Sequence, residues 1–242
     1  MKLLLTSAGI RNASIHDALV DLLGKPIGES SALCIPTAMY GHPWVGPGEK
    51  AWQFISGQEP SCPMCELGWK SLGVLELTAL PSIDEERWVP LVQETDVLLA
   101  SVGDALYLCH WMRQSGLADL LPSLDETVWV GLSAGSMVMT PRIGDDFVGW
   151  KPPTGSDETL GLVDFSIFAP GQRGPAVEHD GQRGTLGAVG PRSRCAAGEW
   201  RRCPVSVSLD AAVRAGRPLA VARRDRLGGA ECREHGDDPA DR

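Results

Sequence analysis

Short apolar runs alternate along the first 168 residues with stretches whose apolar positions recur at helical spacing. Five runs are almost continuous in apolar or β-branched side chains, as in strands buried on both faces of a parallel sheet. The stretches between them place apolar residues on one face of a helix. The predicted strands are residues 3–7, 32–37, 73–77, 96–101 and 127–132, and the predicted helices are residues 14–23, 50–55, 65–72, 84–92 and 105–121.

This alternation predicts an α/β fold with a doubly wound, mostly parallel sheet flanked by helices. Ser14 and Ser82 lie where helix N-caps are expected, and Gly24 follows a predicted helix end. In such sheets the reactive groups collect beyond the carboxyl ends of the strands. We therefore look for a functional site after the predicted strands.

The composition changes sharply after residue 168. Every lysine, phenylalanine, tyrosine and isoleucine precedes that point, whereas most of the arginines follow it. A segment rich in Arg, Gly and Ala buries too little apolar surface to offset the entropy of ordering its backbone. We therefore expect an α/β domain at residues 1–168 and a low-complexity, disordered tail at residues 169–242, with local structure only at 205–215 and 217–222. A shifted reading frame is a second hypothesis for this tail, because GC-rich codons read out of frame give these residue types.

Charge and cysteine usage exclude several classes of function. The formal net charge of −9 disfavours nucleic-acid binding, since the sequence has no dense cluster of basic residues that could bind phosphates. The apolar run at residues 3–5 is too short for a signal peptide or a membrane span, so we expect a cytoplasmic protein without membrane contact. The CxxC pair Cys62 and Cys65 lacks the second half of a zinc site. The sequence therefore predicts no metal.

A glycine-flanked serine follows the last predicted strand, in the order Gly131-Leu132-Ser133-Ala134-Gly135. A strand, a sharp turn and a helix start around G-x-S-x-G are typical of a nucleophile elbow. The strained turn projects the serine hydroxyl from the backbone, and only small neighbours leave room for it. The alternative is a strand end whose serine caps the next helix. We predict that Ser133 is a nucleophile and that the Ala134 amide faces the oxyanion that forms on the attacked carbonyl group.

Several segments resemble the peptidase E (aspartyl dipeptidase) family of serine peptidases. The elbow and the pair Gly103-Asp104 carry most of the specificity. The resemblance covers about residues 1–168 and implies a fold like that of class I glutamine amidotransferases. It also implies cofactor-free hydrolysis of dipeptides or short peptides next to a free amino terminus. The similar segments are residues 4–9, 32–38, 103–108, 115–117, 131–136 and 160–168.

The resemblance implies roles for individual residues. Ser133 matches the nucleophile, and the amides of Gly103 and Ala134 match the oxyanion hole. The family's acidic residue lies some dozen positions beyond the nucleophile, where Asp146 is the best match and Asp145 its neighbour. Ser133 would attack the substrate carbonyl, a histidine would take its proton, and an acyl-enzyme would form and hydrolyse.

The chain departs from the family pattern at two places. Val102 precedes Gly103 where the family has consecutive glycines, and its bulk can tilt the donor amide. After the strand that ends at Phe168 the family places Pro-His, whereas residues 169–171 read Ala-Pro-Gly. The general base is therefore unassigned.

None of the five histidines matches the family motif. They are His16 and His110 in predicted helices, His42 in a loop after a strand, and His179 and His235 in the tail.

Two alternatives to an active serine dipeptidase stay open. One is a catalytically impaired relative that at most binds small peptides, and the other is an α/β-type esterase, which G-x-S-x-G alone permits. The sequence assigns no oligomeric state.

Overall fold

The described part of the chain is an α/β structure in which strands and helices alternate. The computed structural model describes residues 1–43, 48–58, 63–144 and 149–168, and beyond them only the strands at residues 187–189, 211–214 and 217–221. The first five strands are β1 Lys2–Thr6, β2 Ser31–Ile35, β3 Ser71–Val74, β4 Val97–Ala100 and β5 Val128–Leu132. The later strands are β6 Ser166–Phe168, β7 Gly187–Val189, β8 Ala211–Arg214 and β9 Arg217–Val221. The helices are α1 Ala13–Leu23, α2 Thr37–Tyr40, α3 Glu49–Ile55, α4 Glu85–Gln93, α5 Ala105–Gln114, α6 Leu117–Leu120 and α7 Ala134–Met137.

Five parallel strands form the main sheet, which confirms the predicted α/β class. The order across the sheet is β3-β2-β4-β5-β1-β8-β9. Strands β3, β2, β4, β5 and β1 run parallel, with Leu4 opposite Val130 and Leu99 opposite Val130 on the other side. Strand β8 pairs antiparallel with β1, and β9 pairs antiparallel with β8. The carboxyl ends of β1, β2, β4 and β5 therefore meet at one edge of the sheet.

Helices cover both faces of the sheet at β1, β2, β4 and β5, where successive residues of a strand enter different hydrophobic clusters. Strand β3 is the exception, because its residues are mostly exposed. In β1, Leu3 and Leu5 belong to one cluster and Leu4 to the other. The first cluster includes residues of α4 and α5, and the second includes residues of α1 and α3. Burial on both faces explains why these strands are apolar almost throughout.

Two predicted helices differ from the structure. Residues 65–72 form no helix: Met64 and Cys65 enter the core, and the Trp69 indole N–H donates to the Met64 carbonyl at 2.8 Å. The apolar residues of this segment are spaced as in a helix, but they form a turn that leads into β3. The predicted helix at 105–121 breaks at Gly116, whose φ of 81° is left-handed, so α5 and α6 are separate.

The helix ends also correct part of the sequence prediction. Asn12, not Ser14, caps α1, accepting a hydrogen bond from the Ile15 amide at 2.9 Å. Ser82 lies in a 3-10 turn and donates to the Ala79 carbonyl, so it does not cap α4. Gly24 ends α1 in the left-handed conformation with φ of 69°, as predicted.

Three described strands lie after residue 168. Strands β8 and β9 fall within the two segments expected to hold local structure, whereas β7, which pairs with β6, is not predicted. The other residues of 169–242 lie outside the described part, so the expectation of a disordered tail stays a prediction. Within the described ranges, no helix has both the length and the apolar character needed to cross a membrane.

Candidate active site

Ser133 directly follows β5 at the edge where the carboxyl ends of four strands meet. Its amide donates to the Thr6 carbonyl at the end of β1, at 3.0 Å. The Gly135 amide donates to the Ser101 carbonyl after β4, at 3.1 Å. The turn between β5 and α7 is thus fixed to the strands on both sides.

The Ser133 backbone is strained. Its φ and ψ are 51° and −103°, and it is the one non-glycine residue with positive φ in the described ranges. Such a conformation costs on the order of 1–3 kcal/mol and persists only where the surroundings impose it. The residue is half-buried, and no described group hydrogen-bonds its hydroxyl. The turn therefore holds a hydroxyl free of intramolecular partners within the described structure.

The two flanking glycines are required by close backbone contacts. A Cβ on Gly131 would lie 2.4 Å from the Gly135 carbonyl oxygen. A Cβ on Gly135 would lie 2.5 Å from the Ala100 carbonyl oxygen. The Trp129 indole N–H donates to the Gly135 carbonyl at 2.8 Å, which holds the first turn of α7 against β5. Both glycines of G-x-S-x-G thus leave room for this turn.

A buried serine behind the turn joins β1 to β5. The Ser136 hydroxyl oxygen accepts from the Thr6 amide at 2.9 Å and lies 2.9 Å and 2.8 Å from the carbonyl oxygens of Thr6 and Gly131. The Thr6 hydroxyl also donates to Gly131 at 2.8 Å. This network supports the position of Ser133 from behind. Neither Thr6 nor Ser136 stood out in the sequence, because their partners lie about 130 positions away.

Gly103 lies where β2 and β4 end. Its φ is 145°, and a Cβ there would lie 2.1 Å from the Ala38 carbonyl oxygen, so no other residue fits. In the described structure, neither its amide nor that of Ala134 donates to a backbone or side-chain acceptor. The two residues before Gly103 are also partly or fully buried. Val102 is half-buried and packs against the hydrophobic cluster that includes residues of α1 and α3. The Ser101 hydroxyl is buried with no partner among the described groups.

Asp145 and Asp146 lie outside the described residues, but the chain on both sides of them is held. Upstream, the Gly144 amide donates to Asp157 at 3.2 Å, and Arg142 donates twice to the same carboxylate. Downstream, the Gly149 amide donates to Asp104 at 3.0 Å. The acidic role expected for Asp146 stays a prediction.

Among solved structures, two similar chains are peptidases by their descriptions. One, assigned as a peptidase E protein from Listeria monocytogenes EGD-e, is 20% identical, with a TM-score of 0.45 over 68% of this chain and 76% of that one. The other, a peptidase from an acI-B1 Actinobacterium, is 21% identical, with a TM-score of 0.45 over 66% of this chain and 64% of that one. No curated protein matches the chain.

The sequence model of Peptidase family S51 matches residues 3–170. The chain belongs to Peptidase family S51. The match runs from β1 to β6 and ends beside the change in composition at residue 169. Family membership confirms the resemblance drawn from the motifs and makes this S51 chain a peptidase, and hence a hydrolase, by class.

The described histidines of this S51 chain lie in three different settings. His16 is exposed on α1 beside Asp17, and His42 is half-buried after α2. The His110 ring on α5 packs against the rings of Trp111 and Trp150 at 5.3 Å and 5.1 Å. None of these three donates to or accepts from the Ser133 hydroxyl in the described structure. His179 and His235 lie outside the described residues.

Two of the described cysteines, Cys34 and Cys109, are poor candidates for the nucleophile. A hydrogen bond with the Cys65 thiol and burial raise the pKa of Cys34 well above its ordinary value. Burial raises the pKa of Cys109, against the opposing charge of Arg113. A protonated thiol is a weak nucleophile, so Ser133 is the better candidate. Within the described ranges no three His, Cys, Asp or Glu residues group as metal ligands.

Proposed function

We propose that this S51 chain is a serine-type peptidase that cleaves dipeptides or very short peptides next to a free amino terminus, with Ser133 as the nucleophile. The strained backbone of Ser133, at φ 51°, is the observation that carries the proposal. Strain of this kind clusters at active sites, where it pre-organises a reacting group. The family supplies the peptidase class, and the resemblance to peptidase E supplies the substrate class.

In the proposed reaction, the Ser133 hydroxyl attacks the carbonyl carbon of the scissile bond. A general base takes the hydroxyl proton and later passes it to the departing amine. The amides of Gly103 and Ala134 would stabilise the negative charge that develops on the carbonyl oxygen, each such donor contributing about 10²–10³ in rate. Asp146 would orient the base. Water then hydrolyses the acyl-enzyme and regenerates Ser133.

A catalytically impaired peptidase is the second candidate, and two observations favour it. No described histidine hydrogen-bonds Ser133, and the family's Pro-His position reads Ala-Pro-Gly at residues 169–171. Loss of one member of a catalytic triad lowers kcat by about 10⁴–10⁶. Such a chain would bind short peptides at the same edge of the sheet without turning them over at a useful rate.

Peptide turnover by matched serine variants tests the proposal. Unblocked dipeptides, the same dipeptides acetylated at the amino terminus, and short acyl esters are offered to the wild type, to Ser133→Ala and to Ser14→Ala. Ser14 is an exposed serine on α1 and serves as the control. We expect cleavage of unblocked dipeptides alone, lost in Ser133→Ala and kept in Ser14→Ala.

The other outcomes each point to a different conclusion. Turnover of acyl esters without dipeptide cleavage would favour an esterase. Calorimetric binding of dipeptides without turnover would favour the impaired peptidase. Dipeptide cleavage that persists in Ser133→Ala would overturn the assignment of Ser133.

A further inference from the structure

Asp104 is a buried carboxylate near the candidate site, and both of its oxygens accept hydrogen bonds. Its residue is 1% exposed and lies between Gly103 and the start of α5. One carboxylate oxygen, Oδ1, accepts from the Tyr107 amide at 2.8 Å and so caps α5. The other, Oδ2, accepts from the amides of Gly149 and Trp150 at 3.0 Å and 2.8 Å. One side chain thus fixes a helix start and a second, distant segment.

The backbone of Asp104 holds a third element in place. Its amide donates to the Ala38 carbonyl at 2.8 Å, at the start of α2. The preceding residue, Gly103, lies against the same carbonyl with a φ of 145°. The Asp104 bond therefore fixes the peptide unit between Gly103 and Asp104, which adjoins the unit that carries the Gly103 amide. Gly103 is one of the two amides proposed for the oxyanion hole.

The second segment held by Asp104 directly follows the proposed acidic residue. Gly149 and Trp150 come three and four positions after Asp146. A Cβ on Gly149 would lie 3.3 Å from the Asp104 Oδ2 and 2.7 Å from Pro43, so this approach is close. A carboxylate is suited to this place because it accepts several amide hydrogens and donates none.

From this geometry we infer that Asp104 is a positioning residue for the peptidase reaction. Its carboxylate fixes residues 149 and 150, which follow Asp146 in the sequence, and its backbone bond fixes the peptide unit that leads out of Gly103, so Asp104 connects both proposed parts of the machinery. The inference rests on the proposed function of Ser133. A misplacement of about 1 Å can lower the rate by about 10². Loss of the Gly149 and Trp150 hydrogen bonds should therefore lower kcat far more than it changes KM.

Asp104→Ser separates capping from anchoring. Serine is a good N-cap and keeps the bond to the Tyr107 amide, but its short side chain cannot also bind Gly149 and Trp150. Asn12→Ala is the matched control, because it removes the side-chain cap of α1 away from the site. The wild type and both variants are compared for kcat and KM on unblocked dipeptides and for the rate of fluorophosphonate labelling.

We expect Asp104→Ser to lower kcat and the labelling rate about 10-fold to 100-fold, with KM within about threefold. Asn12→Ala should leave both rates unchanged. In the Asp146→Asn background, Asp104→Ser should cost less than about twofold, because residues that act through one another are not additive. Amide hydrogen exchange at Gly149 and Trp150 should quicken in Asp104→Ser.

Three results would overturn the inference. One is labelling of Asp104→Ser at the wild-type rate. Another is full additivity of the Asp104 and Asp146 changes, which would assign Asp104 a general structural role. The third is unchanged exchange at Gly149 and Trp150. A wild type that shows no labelling of Ser133 would instead refute the proposed function, on which the inference rests.

Discussion

Replacement of Ser136 tests whether the turn at Ser133 is held from behind as the structure indicates. In Ser136→Ala, the Thr6 carbonyl keeps the Ser133 amide as a donor, and the Gly131 carbonyl keeps the Thr6 hydroxyl. The Thr6 amide loses the Ser136 hydroxyl as an acceptor at 2.9 Å but keeps the Gly131 carbonyl, which faces it in the parallel register of β1 and β5. The substitution therefore removes the two hydrogen bonds of one hydroxyl and leaves no buried N–H without a partner.

The expected loss follows from those two hydrogen bonds. Each contributes about 0.5–1.5 kcal/mol. Ser136→Ala should thus lower the free energy of unfolding by about 1–3 kcal/mol. Ser101 is the matched control: it is equally buried, but its hydroxyl has no partner in the described structure. Ser101→Ala removes an unsatisfied group and should stabilise the fold by about 1 kcal/mol.

Urea unfolding followed by tryptophan fluorescence measures both effects. With a slope of about 2 kcal/mol per molar urea, the midpoint should fall by about 0.5–1.5 M in Ser136→Ala and rise by about 0.5 M in Ser101→Ala. Midpoints that move in the same direction would refute the hydrogen-bond accounting. A fall of the urea midpoint by less than about 0.3 M in Ser136→Ala would refute it as well.

Two further predictions concern packing and pH. Gly135→Ala should destabilise the fold by at least about 3 kcal/mol in urea unfolding, because its Cβ would lie 2.5 Å from the Ala100 carbonyl oxygen. Gly28→Ala, whose Cβ would meet its nearest atom at 3.6 Å, should change stability by less than about 1 kcal/mol. Burial raises the pKa of Asp96, but hydrogen bonds from Lys25 and Ser31 outweigh it and hold the pKa below its usual range. Its contribution is therefore present above about pH 4 and is lost as the pH falls through the lowered pKa, so Asp96→Asn should be less stable than the wild type at pH 7 and similar to it at pH 2.

Each of these has a contrary outcome. Equal stabilities of Gly135→Ala and Gly28→Ala would show that the contact with Ala100 relaxes at little cost. A stability difference between the wild type and Asp96→Asn that stays constant from pH 7 to pH 2 would show that the Asp96 charge does not stabilise the fold.

The main sheet and the place of Ser133 could be predicted from the sequence, because both depend on local patterns. The apolar strands and the small residues at Gly131 and Gly135 are visible in a short window of sequence. The sequence predicts a helix at residues 65–72 where the structure has a turn, because turns and helices that bury apolar residues can share the same spacing.

Interactions between distant segments could not be predicted from the sequence. Asp104 accepts hydrogen bonds from residues 45 and 46 positions away, and Ser136 bonds across 130 positions. Nothing near either residue signals these partners, since polar side chains at helix starts are common. Only the three-dimensional packing shows that Asp104 serves more than the helix it caps.

The assignment of a reactive hydroxyl to Ser133 is tested most directly by covalent labelling. The native chain is treated with a fluorophosphonate, digested, and the modified peptide is identified by mass spectrometry. We predict a single adduct on Ser133, formed faster as the base loses its proton, and absent from Ser133→Ala and from the urea-unfolded chain. No adduct on Ser133 in the native chain, or equal modification after unfolding, would contradict the assignment.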